Sequence, residues 1–334
     1  MDISVIVPIY NEVKFIDRLL DDILKNDDVV DNRKLDIEFL LMDGGSDDGT
    51  IEKINLYIEK DNRIKLIHNK MKFQVHAMNL GLQMAEADII IRCDAHSRYP
   101  KNYFILLYKY LKGNPDAGNV GLKSITKKID NSKESEVVSD ILSSKFGVGS
   151  GHRNIKSDEA VEVDTLLFGA WHRKIFDQVG LFDESFIRGQ DYEHNYRIRT
   201  AEKKVLIIPG GEFIYYTRNK IKKMFKMIFQ YAHAKVHVMK KHKTLPTLKS
   251  MFPVLLWIIT LLTLIHPIFI CPYVAYLFIA FYYSIKMSSG INKSTVLYLY
   301  GFIGIHFAYF IGFIKGIIDY FIRNENEIKF NHTR

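Results

Sequence analysis

Asp94 ends the apolar run Asp88-Ile-Ile-Ile-Arg-Cys. A carboxylate at the carboxyl edge of such a strand is how an open α/β sheet presents a group to a ligand crevice. An acid placed there can hold a hard divalent cation, which in turn grips phosphate oxygens. Two more acidic sites repeat the theme. Asp43 closes an apolar run over residues 35–42 and opens the loop Asp43-Gly-Gly-Ser-Asp-Asp-Gly-Thr50, while Asp191 and Glu193 sit in Gln190-Asp-Tyr-Glu193. Asp191 is the natural general base. Attack by a sugar hydroxyl on an anomeric carbon needs a carboxylate beside the incoming O–H while a diphosphate leaves from the opposite face. Together the three acids imply an enzyme that handles a nucleotide sugar.

Each position has a plainer alternative. His96, third in Asp94-Ala-His96, would be a second metal ligand that makes Mn²⁺ as suitable as Mg²⁺, or a loop residue bonding its neighbours. In Pro8-Ile-Tyr-Asn-Glu12 a nucleotide base could pack, with Asn11 or Glu12 on a ribose hydroxyl, or Asn11 could cap a helix. Asp43 could accept the imide N–H of uracil, although Asp-Gly steps are ordinary turn formers. Asp191 and Glu193 point to different sides of a helix, so Glu193 binds the acceptor or braces the loop. Trp171, in Gly169-Ala-Trp-His-Arg173, stacks on a sugar ring or fills the core. His152 and Arg153, at the end of a glycine-rich segment, are placed to reach diphosphate oxygens. Arg197 and Arg199 would neutralise the acidic helix surface.

These groups need a scaffold, and the first half of the chain supplies alternating strand and helix signals. Residues 3–10 read as a buried strand. Phe15, Ile16, Leu19, Leu20, Ile23 and Leu24 then recur at helical spacing. Strands over 35–42 and 64–67 and helices over 51–59 and 76–85 follow, the last leading into the strand that delivers Asp94. From Gly118 the rhythm changes. A strand over 120–125, a polar stretch over 127–139, a strand over 162–168 and helices over 173–179 and 191–202 complete the expected domain. The expectation is an α/β fold with a mixed, mainly parallel sheet. Residues 1–117 form its nucleotide-binding half and 118–217 its acceptor-binding half.

The formal net charge of +8 is unevenly distributed. From Arg218 onward 16 Lys and Arg face 3 Asp and Glu, whereas the preceding residues carry 30 against 35. A basic tail flanking apolar runs reads as membrane anchoring, and the acidic remainder lacks the basic stripe of a nucleic-acid binder. Residues 218–249 are expected as a basic amphipathic helix in the membrane interface, with Ile221, Met224, Ile228, Ala232, Val236 and Met239 on one face. Residues 250–318 are expected to make three transmembrane helices, and 319–334 a polar tail. Lys286 and Lys293 favour a cytoplasmic connection between the second and third runs. Two cysteines form no disulfide framework, and the start has no basic signal-peptide region, so the main domain is expected in the cytoplasm.

With these residues assembled, the chain resembles the inverting glycosyltransferases of family 2, which have the GT-A fold. The resemblance rests on Val7-Pro-Ile-Tyr-Asn-Glu12, Met42-Asp-Gly-Gly-Ser-Asp-Asp-Gly-Thr50, Ala77-Met-Asn-Leu-Gly81 and Cys93-Asp-Ala-His96. It continues in Phe168-Gly-Ala-Trp-His-Arg173, Gly180-Leu-Phe-Asp-Glu184 and Gly189-Gln-Asp-Tyr-Glu-His-Asn-Tyr-Arg197. The Asp-Ala-His form and the trailing apolar helices look most like the succinoglycan-biosynthesis branch, membrane enzymes that extend a polyprenyl-diphosphate-linked saccharide. The resemblance implies that Pro8, Tyr10, Glu12 and Asp43 line the nucleotide pocket. It further implies that Asp94 binds metal and diphosphate and that Asp191 is the base. His96 replaces the usual second acid of Asp-x-Asp, and Gln190 replaces the acid that commonly precedes the base. The Gln-x-x-Arg-Trp signature of processive synthases is absent, Gln230-Tyr-Ala-His233 being the nearest sequence, so one sugar per acceptor is expected, with UDP-glucose as donor.

Overall fold

The computed structural model describes residues 1–148 and 158–325. The chain divides into two compact units, Met1–Ile125 with Gly151–Tyr215 and Thr126–Ser150 with Tyr216–Arg334. The expected single domain over 1–217 therefore yields a stretch of its second half to the helical unit.

The first unit opens with β1 (Ile3–Ile9), α1 (Ile16–Leu24), a small hairpin of β2 (Val29–Val30) and β3 (Arg33–Lys34), and β4 (Ile37–Asp43). It continues through α2 (Thr50–Ile58), β5 (Ile64–His68), α3 (Gln74–Met84), β6 (Ile89–Arg92), β7 (Ser97–Arg98) and α4 (Tyr103–Gly113). After β8 (Ala117–Lys127) comes α5 (Lys133–Ser143), which belongs to the second unit. The first unit closes with β9 (Val161–Glu162), β10 (Gly169–His172), α6 (Lys174–Val179), α7 (Gln190–Thr200) and β11 (Lys204–Tyr216).

The strands make one mixed sheet in the order β5-β4-β1-β6-β10-β8-β11-β7, with β9 on β11. Pairing is parallel across β5, β4, β1 and β6 and antiparallel where β10 meets β6 and β8 and where β11 meets β7 and β9. Alternation along β1 feeds two cores, as a period of two requires. Ile3, Val5, Val7 and Ile9 join the α1 stripe of Ile16, Leu19, Leu20 and Ile23, whereas Ile6 joins Val75, Met78 and Leu82 of α3. Burial of each such aliphatic side chain is worth about 1.5–3 kcal/mol. Gly81 lets α3 rest directly on the sheet, because a Cβ there would lie 2.6 Å from Ile6 Cγ2.

Two sequence expectations shift. The strand expected over 162–168 is reduced to β9, and pairing resumes only at Gly169. Phe168 (φ 62) and Gly169 (φ 133) turn the backbone there, and a Cβ on Gly169 would lie 2.1 Å from Asn119 Oδ1. The polar stretch over 127–139 contains the start of α5, capped by Ser132, whose side chain accepts from Ser135 N–H. Its buried Val137, Val138, Ile141 and Leu142 form a helical stripe hidden among Lys, Ser and Asp.

The second unit adds α8 (Ile221–His242), α9 (Leu248–Leu261), α10 (Cys271–Ser288) and α11 (Lys293–Ile317), the last continued by a π-helical turn over Ile318–Ile322. Glu134 of α5 accepts the Ile221 N–H at the start of α8 and pairs with Lys220. The apolar face of α8 packs on α11. Gly312 admits the Phe229 backbone and Gly316 admits Val236, so the helices approach closely. Two helices, Pro267–Ser288 and Lys293–Ile322, are long and apolar enough to cross a membrane, whereas Ser250–Leu264 is shorter. At 1.5 Å per residue, the 14 residues of α9 fall short of a bilayer core of about 30 Å. The two long helices fit a membrane region, and Phe278, Tyr282, Val296, Phe307 and Ile311 leave much of their apolar surface exposed.

Candidate active site

Parallel pairing of β1 with β4 and β6 brings three strand ends to one edge, with Ile9 beside Asp43 and Ile6 beside Arg92. The loops leaving β1 and β4 are laced together. Asn11 N–H donates to Ser46 Oγ, Asn11 and Asp47 exchange two hydrogen bonds, Glu12 N–H donates to Thr50 Oγ1 and Val13 N–H to Asp48. Asp43, 2% exposed, accepts the Gly45 and Ser46 N–H groups and the Ser46 hydroxyl. Its first duty is thus to shape its own loop. The Asp48 carboxyl works against slight burial but is held below the ordinary range by the Thr50 hydroxyl and the Val13 and Thr50 N–H groups.

Pro8 is buried in β1 and Glu12 is buried just beyond it, while Tyr10 is half-buried. Glu12 faces His96, whose Nδ1 lies 3.0 Å from Glu12 Oε2. The His96 ring also packs on Phe15 with centroids 4.4 Å apart. Its Nδ1 is therefore turned to a neighbouring acid, in keeping with the plainer reading of His96 and against a second metal contact through that nitrogen.

Asp94, 3% exposed, is fixed at the strand end by its own N–H donating to Tyr99 Oη at 2.7 Å and by the His96 N–H donating to Oδ1 at 3.0 Å. Arg92, two residues earlier and 2% exposed, pairs through a terminal nitrogen with Asp191 Oδ1. Its guanidinium also lies 5.1 Å over the Phe168 ring. Asp191 is in the first turn of α7, entered through Gly189 at φ 77, and its side chain is 24% exposed. Burial pushes the Asp191 carboxyl above the ordinary range. Arg92 opposes that shift, and the nearby charge of Asp94 adds to it. Asp94, Arg92 and Asp191 therefore form one electrostatic group built from β6 and α7. Arg92 and Phe168 escaped sequence reasoning. The signal available for Arg92 was a lone charge inside an otherwise apolar strand.

The other expected acceptor residues face inward. Trp171 is 1% exposed and enclosed by Phe176, Phe182 and His194, so its ring is core and offers no face to a sugar. Gln190 is 5% exposed and donates to Gln74 Oε1. Glu193 is fully buried and paired with Arg197, which also donates to the carbonyls of Val179, Gly180 and Leu181. Glu193 thus braces the segment before α7, and Arg197 does more than neutralise a surface. His152 and Arg153 lie outside the described residues.

Among the described residues no group of three His, Cys, Asp or Glu side chains could hold a metal on its own. Asp94 by itself still suits Mg²⁺ or Mn²⁺, which take one or two carboxylates and complete their shell with substrate phosphates and water.

A family model described as glycosyl transferase family 2 matches residues 4–165. The dolichyl N-acetyl-α-D-glucosaminyl phosphate 3-β-D-2,3-diacetamido-2,3-dideoxy-β-D-glucuronosyltransferase of Methanococcus voltae is 31% identical over 247 residues, 72% of this chain and 74% of that protein. Succinoglycan biosynthesis protein ExoA of Rhizobium meliloti is 26% identical over 335 residues, 95% of both chains. In fold, the Pyrobaculum calidifontis mannosyltransferase solved with GDP-mannose and Mn²⁺ superposes with a TM-score of 0.59 at 18% identity, over 95% of this chain and 87% of that one. Mixed sheet, acidic strand ends and sequence kinship converge: the chain belongs to glycosyl transferase family 2 and is a glycosyltransferase of GT-A fold.

Proposed function

We propose that the protein transfers a single sugar, with inversion, from a nucleotide sugar to a polyprenyl-diphosphate-linked saccharide during exopolysaccharide or cell-surface glycan synthesis. The observation that carries this reading is the convergence of Asp94 and Asp191 on one site, one at a sheet edge and the other on a helix. Asp191 Oδ1 is engaged by Arg92, and among the described residues no hydrogen bond reaches Oδ2. Oδ2 is the atom that takes the acceptor proton. As it does so, the acceptor oxygen bonds the anomeric carbon and the bond to the departing diphosphate breaks. Asp94 would hold Mg²⁺ or Mn²⁺, which supplies Lewis-acid neutralisation of the leaving diphosphate. Pro8, Tyr10, Glu12 and Asp43 border the nucleotide, with UDP-glucose as the donor to test first.

The lipid-linked acceptor is supported by the Methanococcus protein, whose name specifies a dolichyl-phosphate-linked sugar, and by the Rhizobium protein of succinoglycan synthesis. The two long apolar helices support a multi-pass membrane protein, and the Lys-rich connections support a catalytic unit on the cytoplasmic side. Purified full-length protein in lipid, offered labelled UDP- and GDP-sugars, should label a polyprenyl-diphosphate-linked saccharide but not bare polyprenyl phosphate. Asp191→Asn should lower turnover by about 10²–10⁴-fold while nucleotide binding persists. Parental turnover in that variant would remove Asp191 from the mechanism.

A further inference from the structure

Arg92 is the least expected side chain in the site. It is a cation at the end of β6, where parallel pairing with β1 gives way to antiparallel pairing with β10, and it is 2% exposed, where burying a charge is costly unless it is paired and bonded. Its pairing is sparse. One terminal nitrogen meets Asp191, while among the described residues the buried Nε–H finds no acceptor. The opposite face of the guanidinium is supported by Phe168, which adopts φ 62, a left-handed conformation unusual for a bulky aromatic residue. Strain of this kind persists where the surrounding structure imposes it, and it concentrates at working sites. Phe168 precedes Gly169, and Gly169 stands opposite Arg92 in the β6–β10 register. The turn at residues 168 and 169 therefore delivers the ring to the guanidinium.

We propose that Arg92, clamped from behind by Phe168, is the positioning residue of the base: it grips Asp191 Oδ1 so that Oδ2 stays turned toward the acceptor hydroxyl. This inference rests on Asp191 being the base. A merely structural ion pair would need neither a strained aromatic backing nor a partner left partly open to solvent.

The test uses full-length protein in lipid, reading kcat, donor KM, nucleotide affinity and melting temperature. Arg92→Met should lower kcat about 100-fold, the loss expected when a catalytic group is displaced by about 1 Å, with donor KM and nucleotide affinity kept within about threefold. Phe168→Leu should lower kcat in the same pattern by a smaller factor. The double variant Arg92→Met with Asp191→Asn should turn over no more slowly than Asp191→Asn alone, since residues acting as a unit are non-additive. Additive losses, or parental kcat in Arg92→Met while Asp191→Asn is dead, overturn the positioning role. Parental turnover in Asp191→Asn overturns instead the assignment of the base. If Arg92→Met fails to fold, Arg92→Lys decides: an ammonium keeps the charge but not the planar fork, so a fall in kcat at constant donor KM supports the proposal and an unchanged kcat defeats it.

Discussion

The loop that leaves β4 and the cluster that leaves β6 are both acidic, both at the same sheet edge, and built on opposite principles. In the loop, Asp43 and Asp48 spend their oxygens on neighbouring N–H and hydroxyl groups, so the charge is consumed in making a shape. In the cluster, Arg92 of β6 pairs with Asp191 of α7, and Asp191 remains in the field of the like charge of Asp94. An acid whose lone pairs are filled by its own backbone is a structural part. Asp191, held by one arginine beside an acid that repels it, is prepared for a proton. The difference lies in the partners, since the residue type is the same.

Removing the cluster acid Asp94 should separate function from fold most strongly. Asp94→Ala is expected to lower sugar transfer on the order of 10³-fold, as loss of about 4 kcal/mol of transition-state stabilisation requires. Its melting temperature should hold or rise, because a like charge beside Asp191 is gone. A large drop in melting temperature would place Asp94 with the structural acids. Glu193, on the same helix as Asp191 but fully enclosed, sharpens the contrast from the other side. Glu193→Gln should cost about 2 kcal/mol of stability by stranding Arg197, seen as a lower unfolding midpoint, while kcat at a permissive temperature stays near the parent's.

The smallest effect concerns the loop itself. The Asp48 carboxyl is lowered in the folded protein, so its bonds contribute stability that is present above the unfolded value of about 3.9. That contribution is lost as pH falls through the folded one. The Val13 and Thr50 amide resonances should therefore titrate with a midpoint below about 3.9, and a midpoint above it would remove the latch and blur the comparison.

Much of this arrangement was legible in the residues alone. The period-two run of residues 3–9 and the apolar runs before Asp43 and Asp94 mark strands whose ends must share an edge once they pair in parallel. Asp191 at a helix start is equally local information. What escaped was contact across long separations. Arg92 and Asp191 lie 99 residues apart, and nothing in either local pattern names the other. Trp171 was ambiguous for the same reason, because its enclosure depends on Phe182 and His194 arriving from elsewhere. The helix α5 was hidden by composition, since its four buried aliphatics are diluted by polar neighbours and only the second unit gives them something to cover.

The route of the chain through α5 bears on how these enzymes could be recombined. The helical unit is assembled from two separate lengths of chain, one inserted after Ile125 and one running from Tyr216 to the end. Val137, Val138, Ile141 and Leu142 share a core with Ile221, Met224 and Tyr298. A transplant that exchanges only the tail from another family member would leave this stripe facing foreign helices. A working chimaera has to carry both segments together, so the helical unit cannot be swapped as a single terminal module.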